Sequence, residues 1–421
     1  MNVGIIGSGG REHALCQFIK NSPKVKKIYC FPGNGGTSQL ATNVEIDLDD
    51  FDKIKEFSIS NEISLIIVGP EKPLVEGIVD FFKDTKINIF GPDKVSSQLE
   101  GSKIFTKKIC NKYKIPTAKF GIFENFSEAS AFLNKTNFPL VVKADGLASG
   151  KGVYICENKD SANIAIKEIF NGKFGVADNI LIEEFLTGEE MSYFIISDGK
   201  EIKSLETAQD HKKVLEGDKG ANTGGMGAYS PSRLINHILE EKILDKIIKP
   251  TIKAIQEMGS NYKGFLYAGL MIVEGEPYLI EYNVRMGDPE CQTILPKLKT
   301  DLLEIIEACC NGRLKNLKIE WYDKKSLCVV ICSKGYPDKY QNNILIENTE
   351  KINLGKNDFI YHAGTKKVKD KFYSNGGRVI SFVSLSSNFK ENRNKIFNHI
   401  KKLNWSGGFF RKDIGYKVID E

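Results

Sequence analysis

Val141-Val142-Lys143-Ala144-Asp145-Gly146-Leu147-Ala148-Ser149-Gly150-Lys151-Gly152 is an apolar run that meets a lysine and then opens into a glycine-rich loop. A second apolar run, residues 153–156, follows at once, so the loop joins two strands rather than a strand and a helix. That excludes a G-x-x-x-x-G-K-[ST] phosphate loop. Only three residues separate Gly146 from Gly150, and Gly152 stands where a magnesium-holding Ser or Thr belongs. Between two strands, such a loop can fold over a nucleotide's phosphates as a lid, with Lys143 reaching them as a point charge. An exposed hairpin is the plainer reading of the same residues.

Upstream, apolar runs at 3–6, 28–31, 65–68 and 87–90 alternate with helical patterns at 11–20, 51–58 and 74–83. This alternation predicts a parallel α/β sheet, with ligands at the C-terminal ends of its strands. Three of those ends are glycine turns: Gly7-Ser8-Gly9-Gly10, Gly69-Pro70-Glu71 and Gly91-Pro92-Asp93. The first opens a helix, a setting that favours phosphate, and Arg11 would add a two-pronged donor. It is not a dinucleotide fingerprint, because Glu12 holds the third glycine position and the second strand ends in Phe31-Pro32-Gly33 with no acid. A terminal phosphate monoester fits better than NAD; a tight structural turn remains the alternative.

Downstream, a helix is expected over 102–113, with a boundary at Ile115-Pro116-Thr117. Strands at 140–144, 153–156, 180–186 and 191–197 with a helix near 160–170 mark a compact subdomain over 119–190. A polar, glycine-rich stretch at 216–229 precedes one helix at 237–258 and strands at 265–273 and 277–284. Further on come a helix at 300–311 and a strand at 327–333. Leu279-Ile280-Glu281-Tyr282-Asn283-Val284-Arg285 alternates with period two, which puts Glu281, Asn283 and Arg285 on one face and Ile280, Tyr282 and Val284 on the other. Two oxygen ligands beside a guanidinium suit a magnesium–triphosphate site, and a half-exposed strand is the bland alternative. Gly287-Asp288-Pro289-Glu290 is a turn able to present Asp288 to an amine.

Composition narrows the class. At 421 residues, 41% hydrophobic and 27% charged, the chain suits two to four globular domains. Lys and Arg at 59 against Asp and Glu at 54 leave too small an excess to mark a nucleic-acid partner. No apolar run approaches the roughly 20 residues that cross a bilayer. Met1 leads straight into a strand pattern, so no secretory leader is expected. The nine cysteines are scattered without a C-x-x-C pair, which argues for a reduced, cytoplasmic chain and against zinc.

Lys143, the glycine loop, Glu183–Leu186 and Glu281–Asn283 follow the order of the ATP-grasp superfamily. Longer strings resemble one family within it, the phosphoribosylamine–glycine ligases (glycinamide ribonucleotide synthetases). These strings include Gly9-Gly10-Arg11-Glu12-His13-Ala14, Leu99-Glu100-Gly101-Ser102-Lys103, Gln209-Asp210-His211-Lys212, Asn222 to Tyr229, His362-Ala363-Gly364-Thr365 and Arg411-Lys412-Asp413-Ile414-Gly415. The resemblance spans essentially the whole chain. It implies a multidomain α/β and α+β fold: a Rossmann-like parallel sheet at 1–101, an ATP-grasp domain at 102–296 with a mobile lid at 119–190, and a small α+β domain at 297–421. It implies ATP as co-substrate, held by Lys103, Lys143, Lys151, Glu183, Glu184, Phe185, Leu186 and Glu190, with Mg2+ or Mn2+ on Glu281 and Asn283. Gly9, Gly10, Arg11, Gly69, Pro70, Glu71, Gly225 and Asp288 would meet substrate, and Arg285 and Asp210 would be catalytic. Partners would be glycine and 5-phosphoribosylamine, without nucleic acid or membrane. The chain would be a monomer, or in transient contact with neighbouring purine-pathway enzymes. Ala221, Met286 and Tyr282 depart from the family's usual proline, Phe or Leu, and Phe. A purine-intermediate carboxylase, an NAD-linked oxidoreductase and a silent nucleotide sensor are the rival readings.

Overall fold

The alternation over the first hundred residues becomes a five-stranded, all-parallel sheet in the computed structural model, which describes residues 1–147, 152–175 and 177–419. Asn2–Gly7 lies at its centre, between Lys27–Pro32 and Ile63–Val68. Successive residues of a strand face opposite sides, and here the two sides feed different cores. Val3, Ile5, Ile28, Cys30, Leu65 and Ile67 join the core beneath the C-terminal sheet. Ile6, Tyr29, Phe31, Ile66 and Val68 join the core of the central region.

The expected helix at 74–83 is two short helices, Glu71–Glu76 and Ile78–Phe81, because Gly77 between them takes φ 98°, a left-handed conformation that ends a helix. The next helix, Lys103–Tyr113, is capped by Ser102, whose hydroxyl accepts from the Phe105 N–H.

Residues 120–184 form a four-stranded antiparallel sheet in the order Phe120–Phe123, Ile180–Glu184, Leu140–Ala144, Val153–Cys156. Helices Phe126–Phe132 and Lys159–Phe170 cover it. Its apolar residues make a core of their own, separate from the other two.

The central antiparallel sheet runs Ile202–Ser204, Glu189–Asp198, Lys263–Val273, Glu276–Asn283. The long helix expected over 237–258 is interrupted. His237–Ile243 passes into one π-helical turn, Leu244–Ile248, before Lys249–Glu257 resumes. Pro250 supplies the reason: it has no N–H to donate and its ring crowds the carbonyl four residues back. The strict period of two along 279–285 also breaks. Gly269 pairs with Glu281 but Leu270 with Leu279, so Ile280 sits in a bulge. Leu279, Tyr282 and Val284 are the residues that enter the core, and Ile280 is only half-buried.

The polar stretch expected at 216–229 contains structure. Lys213–Leu215 and Lys219–Asn222 make a hairpin, and Gly227–Ser230 is a buried strand paired with Lys325–Ser333. The sheet of the third region, which continues through Arg378–Ser386 to Asp358–His362, therefore takes in strands from the second. All nine cysteines are free.

One buried pair fastens the first region to the third. His13, on helix Gly10–Lys20, accepts at Nδ1 from the His362 N–H at 2.8 Å, and His362 Nδ1 lies 3.1 Å from Thr365 Oγ1. Burial, with His362 adding to it, lowers the His13 pKa to about 3, and burial lowers His362 to about 4. Below pH 6.5 the unfolded chain takes up protons that the native rings refuse, so the stability these rings carry is present above 6.5 and lost as pH falls towards 4. The thermal midpoint is therefore expected to drop between pH 7 and pH 5.5. His13→Asn, which keeps an acceptor without a titrating ring, should make that drop smaller; an unchanged drop would assign it to other groups.

Candidate active site

Lys143 leaves its strand pointing at Glu183 on the neighbouring one, Nζ to Oε2 2.9 Å. Lys107 reaches the other oxygen of the same carboxylate at 3.1 Å. All three side chains are buried, at 7%, 4% and 3% exposure for Lys143, Glu183 and Lys107. Burial pushes the Glu183 carboxyl up, but the two ammonium groups outweigh it and hold the acid below its ordinary range. Glu183 was expected to touch ATP directly. The structure turns it inward instead, where it sets the position of Lys143. Glu184 is exposed and accepts from the Lys119 N–H at 2.9 Å, and Phe185 and Leu186 continue outward from the strand. At the root of the glycine loop, Ser102 Oγ donates to Asp145 at 3.0 Å and Lys103 Nζ donates to the Gly146 carbonyl at 2.9 Å. Lys151 lies outside the described residues.

Facing this cationic cluster is the strand Glu276–Asn283. Burial would raise the Glu281 acid, but Lys212, Lys143, Lys103 and Arg285 together hold it below the usual carboxylate range. It is thus an ionised oxygen donor, 38% exposed, with Asn283 two residues on. Lys212 Nζ spans from Glu190, at 3.0 Å, to Glu281, at 4.0 Å. Among the described residues no group of three or more His, Cys, Asp or Glu could hold a metal by itself. A pair of protein oxygens completed by phosphate is what magnesium commonly accepts.

Two guanidinium groups do not lie as expected. Arg285 is not an open donor for a phosphoryl group: its Nη2 is 2.6 Å from Glu100 Oε1 and its Nε 3.2 Å from Glu71 Oε2. It closes the seam between the strand Glu276–Asn283 and the N-terminal region. Arg11 is not a phosphate fork either. It is 7% exposed, donates from Nε to Glu12 Oε1 at 2.6 Å and from Nη1 to the Met286 carbonyl at 3.1 Å. The helix N-terminus beside it is already supplied with anions. The Gly9 N–H donates to Glu12 at 2.6 Å, and the Arg11 N–H to Asp288 at 3.0 Å. Gly69 packs against the Glu12 carboxyl and Gly10 against Gln292, each too closely for a side chain. Pro70 and Glu71 start the helix that follows.

The open space lies next to this turn. A cavity of about 480 Å3 separates the strand ends of the N-terminal sheet from the C-terminal region, with Gly9, Asn34, Asp288, Thr365, Lys366 and Arg378 among its walls. Asn34 is its buried staple. Its amide donates to Ser8 O at 2.9 Å and His362 O at 2.8 Å, while its oxygen accepts from the Gly36 and Thr37 N–H groups. Arg378 reaches in from the far side, Nη1 donating to the Gly224 carbonyl at 2.6 Å and lying 3.2 Å from Asp288 Oδ1. Burial would raise Asp288, but Arg378 and Arg11 keep it low. Gly225, at φ 116°, lies against Asp210 and Pro289.

Comparison with known proteins matches this layout. The three phosphoribosylglycinamide synthetase models cover residues 1–100 (N domain), 101–291 (ATP-grasp (A) domain) and 326–417 (C domain). The phosphoribosylamine–glycine ligase of Caldanaerobacter subterraneus subsp. tengcongensis is 47% identical over 418 residues, 98% of this chain and 99% of that protein. The one from Mesorhizobium japonicum is 42% identical over 100% of this chain and 99% of its own length. The chain belongs to the phosphoribosylglycinamide synthetase family. Among solved structures, the phosphoribosylamine–glycine ligase of Thermotoga maritima superposes with a TM-score of 0.86 at 32% identity, covering 99% of this chain and 100% of that one. A Campylobacter jejuni biotin carboxylase shares the fold at a TM-score of 0.74 and 15% identity, covering 100% and 95% of the two chains.

In this synthetase the residues missed by sequence reading are Lys107, Asn34, Thr365 and Arg378. Lys107 carried a legible signal, since it lies four residues after Lys103 and so on the same helix face. The glycine runs around Asn34 and before Arg378 marked close backbone approaches without saying to what. Because Glu183 divides its charge between two lysines, removing one should draw it onto the other. Lys107→Met is expected to raise the KM for ATP by roughly fivefold, about 1 kcal/mol, with the KM for glycine unchanged. Equal effects on both, measured by steady-state kinetics, would make Lys107 a packing residue only.

Proposed function

We propose that this chain joins glycine to 5-phosphoribosylamine at the expense of ATP, giving glycinamide ribonucleotide, ADP and phosphate, a step of purine (IMP) biosynthesis. What carries this reading is one face-to-face arrangement: Lys103 and Lys143 opposite Glu281, with a large cavity alongside. A carboxylate does not acylate an amine at neutral pH, because oxide is too poor a leaving group. A carboxylate oxygen of glycine first takes the γ-phosphoryl group and ADP departs. The amine of phosphoribosylamine then attacks the carbonyl of the resulting acyl phosphate. The C–O bond breaks with its electron pair on phosphate, the departing phosphate takes up the proton that the nitrogen releases, and Asp288, the ionised carboxylate on the cavity wall, meets the amine.

Glu281 and Asn283 would hold Mg2+ or Mn2+, which neutralises polyphosphate charge. Lys143, set by Glu183, and Lys103 place the phosphates. Glu184, Phe185 and Leu186 border the adenine side, and Glu190 the ribose. Phosphoribosylamine occupies the cavity between the Gly9 turn and Arg378. Gly10, Arg11, Gly69, Pro70 and Glu71 shape its wall from behind, while Gly225 and Asp210 bound the glycine side. The units are 1–101, 102–296 and 297–421. The separate core of the small sheet suits a lid over 119–190, and Lys151 would join the ATP-binding residues. Among the described residues no helix is long and apolar enough to cross a membrane, and a cytoplasmic setting fits the substrates.

The test is ADP release with each substrate omitted in turn. Turnover is expected only with ATP, glycine and phosphoribosylamine together, to vanish with EDTA, and to return with Mg2+. Glu281→Gln should lower kcat by on the order of 10²-fold or more and shift the metal dependence. Turnover with bicarbonate in place of glycine would replace the ligase reading with a carboxylase.

A further inference from the structure

Behind the segment that carries Asp210 and Lys212, the far end of the chain closes over a hairpin. Asp210 pairs with Ala228, the His211 N–H donates to the Gly227 carbonyl at 2.8 Å, and Lys213 pairs with Asn222. Successive side chains of an extended chain take opposite sides. Asp210 and Lys212 therefore share one side and border the same small gap, and Lys212 Nζ lies 3.0 Å from Glu190 and 4.0 Å from Glu281. His211 is buried on the other side. Past Lys212 the chain leaves the site as the hairpin Lys213–Leu215 and Lys219–Asn222. A lone two-stranded hairpin is marginal in water. Here Val214 packs against a core, while residues 215–221 are all exposed.

What the hairpin lacks in packing, residues 411–417 supply through polar contacts. Arg411, 1% exposed, donates from Nη1 to the Lys213 carbonyl and to Asp218 Oδ1, each at 2.9 Å. Its Nε and Nη2 donate to the two oxygens of Asp413, each at 2.8 Å. Asp413 in turn accepts from the Gly217 N–H at 2.8 Å, and Glu216 accepts from the Lys412 N–H at 3.1 Å. Tyr416 donates its hydroxyl to Asp218 Oδ2 at 2.8 Å. Closer to the site, His211 Nε2 accepts from the Gly415 N–H at 3.0 Å. The C-terminal segment thus grips the chain at His211, at Lys213 and at the hairpin turn. Lys212 lies between the first two of these points.

We propose, on the ligase reading above, that Arg411 is a positioning residue: it clamps the hairpin and thereby holds Lys212 between Glu190 and Glu281. A lysine's flexible four-carbon stem fixes no direction by itself, so the place of Nζ depends on where the backbone is held. The Lys212 carbonyl accepts from both the N–H and the hydroxyl of Thr223, each at 2.8 Å, so its backbone is tied to the opposite leg and moves with the hairpin. That leg leads on to Gly225, which packs against Asp210. Arg411 also stands between Asp218 and Asp413. Without a guanidinium there, the two carboxylates repel each other and the turn loses its hold.

A double-mutant cycle on the full chain tests this. Arg411→Met and Lys212→Met are each expected to lower kcat roughly tenfold or more. Because the one acts through the other, the double variant should fall no more than about twofold below the lower single variant. A merely structural Arg411 would reduce the folded fraction, and the two losses would multiply. That result, or an Arg411→Met kcat equal to that of the wild type, would overturn the proposal. Hydrogen exchange gives a second reading that needs no substrate. In Arg411→Met the amides of residues 213–222 should exchange about tenfold faster, with those of the N-terminal sheet unchanged. Tyr416→Phe removes one hydroxyl at a 43% exposed position and serves where Arg411→Met does not fold. It should speed the same amides by about threefold. Unchanged exchange over 213–222 would equally overturn the clamp. Wild-type ADP formation is measured alongside, so the clamp can fail while the ligase reading stands, and the exchange result holds even where that reading fails.

Discussion

Arg285 lies between Glu71 and Glu100, and the placing of strand Glu276–Asn283 against the N-terminal sheet depends on that contact. Glu100 also accepts from the Val284 N–H at 2.7 Å, so one carboxylate grips both the strand's backbone and its last cation. Arg11 repeats the theme one layer over, its guanidinium on the Met286 carbonyl and its N–H on Asp288. Buried ion pairs of this kind add little net stability, because desolvation consumes most of the attraction. Removing one partner is a different matter and costs on the order of 3–5 kcal/mol. Their effect is therefore on register. Arg285 answers both Glu71 and Glu100 across this seam, two residues beyond the end of the strand that carries Glu281.

The same electrostatic logic divides the site into a cationic and an anionic half. Lys103, Lys107, Lys143 and Lys212 gather on one side, where Glu183, Glu281 and Glu190 moderate them. Burial lowers the pKa of both Lys103 and Lys107, and the nearby carboxylates Glu281 and Glu183 respectively oppose that fall. Asp210, Glu290 and Asp288 form an acidic group beside it, with Lys212 and Arg378 acting on Asp210 and Arg378 on Asp288.

How far the sequence could be read depended on the range of the interaction. The β/α alternation, the two strands around the glycine loop and the pairing of Glu281 with Asn283 on one face are local patterns, and they appear where spacing places them. Tyr282 and Val284 also turn inward as expected. The bulge at Ile280 was not legible, since it arises from the pairing partner and not from the strand. Arg11 looked like an anion fork because its own neighbourhood is a strand, a turn and a helix start. Its guanidinium is taken by Glu12, the next residue, and by the Met286 carbonyl, while Asp288, 277 positions away, accepts from its backbone N–H at the helix start where a phosphate was expected. Arg378 and Asn34 were invisible for a related reason: each acts through backbone carbonyls brought near by the fold, and carbonyls carry no sequence signature.

The short strand Gly227–Ser230 pairs with Lys325–Ser333, and the hairpin beside it is held by Arg411, whose guanidinium meets the Lys213 carbonyl and Asp218. Asp210 and Gly225 sit at the two ends of this segment. During synthesis, roughly 5–20 residues emerge each second and N-terminal regions fold first. The nascent chain can complete its first sheet and its nucleotide lysines early, but the strand partners of the substrate loop are still inside the ribosome. A chain that stops before Arg411 would lack the anchor for that loop. The loop's final shape is thereby tied to residues made about two hundred positions after it.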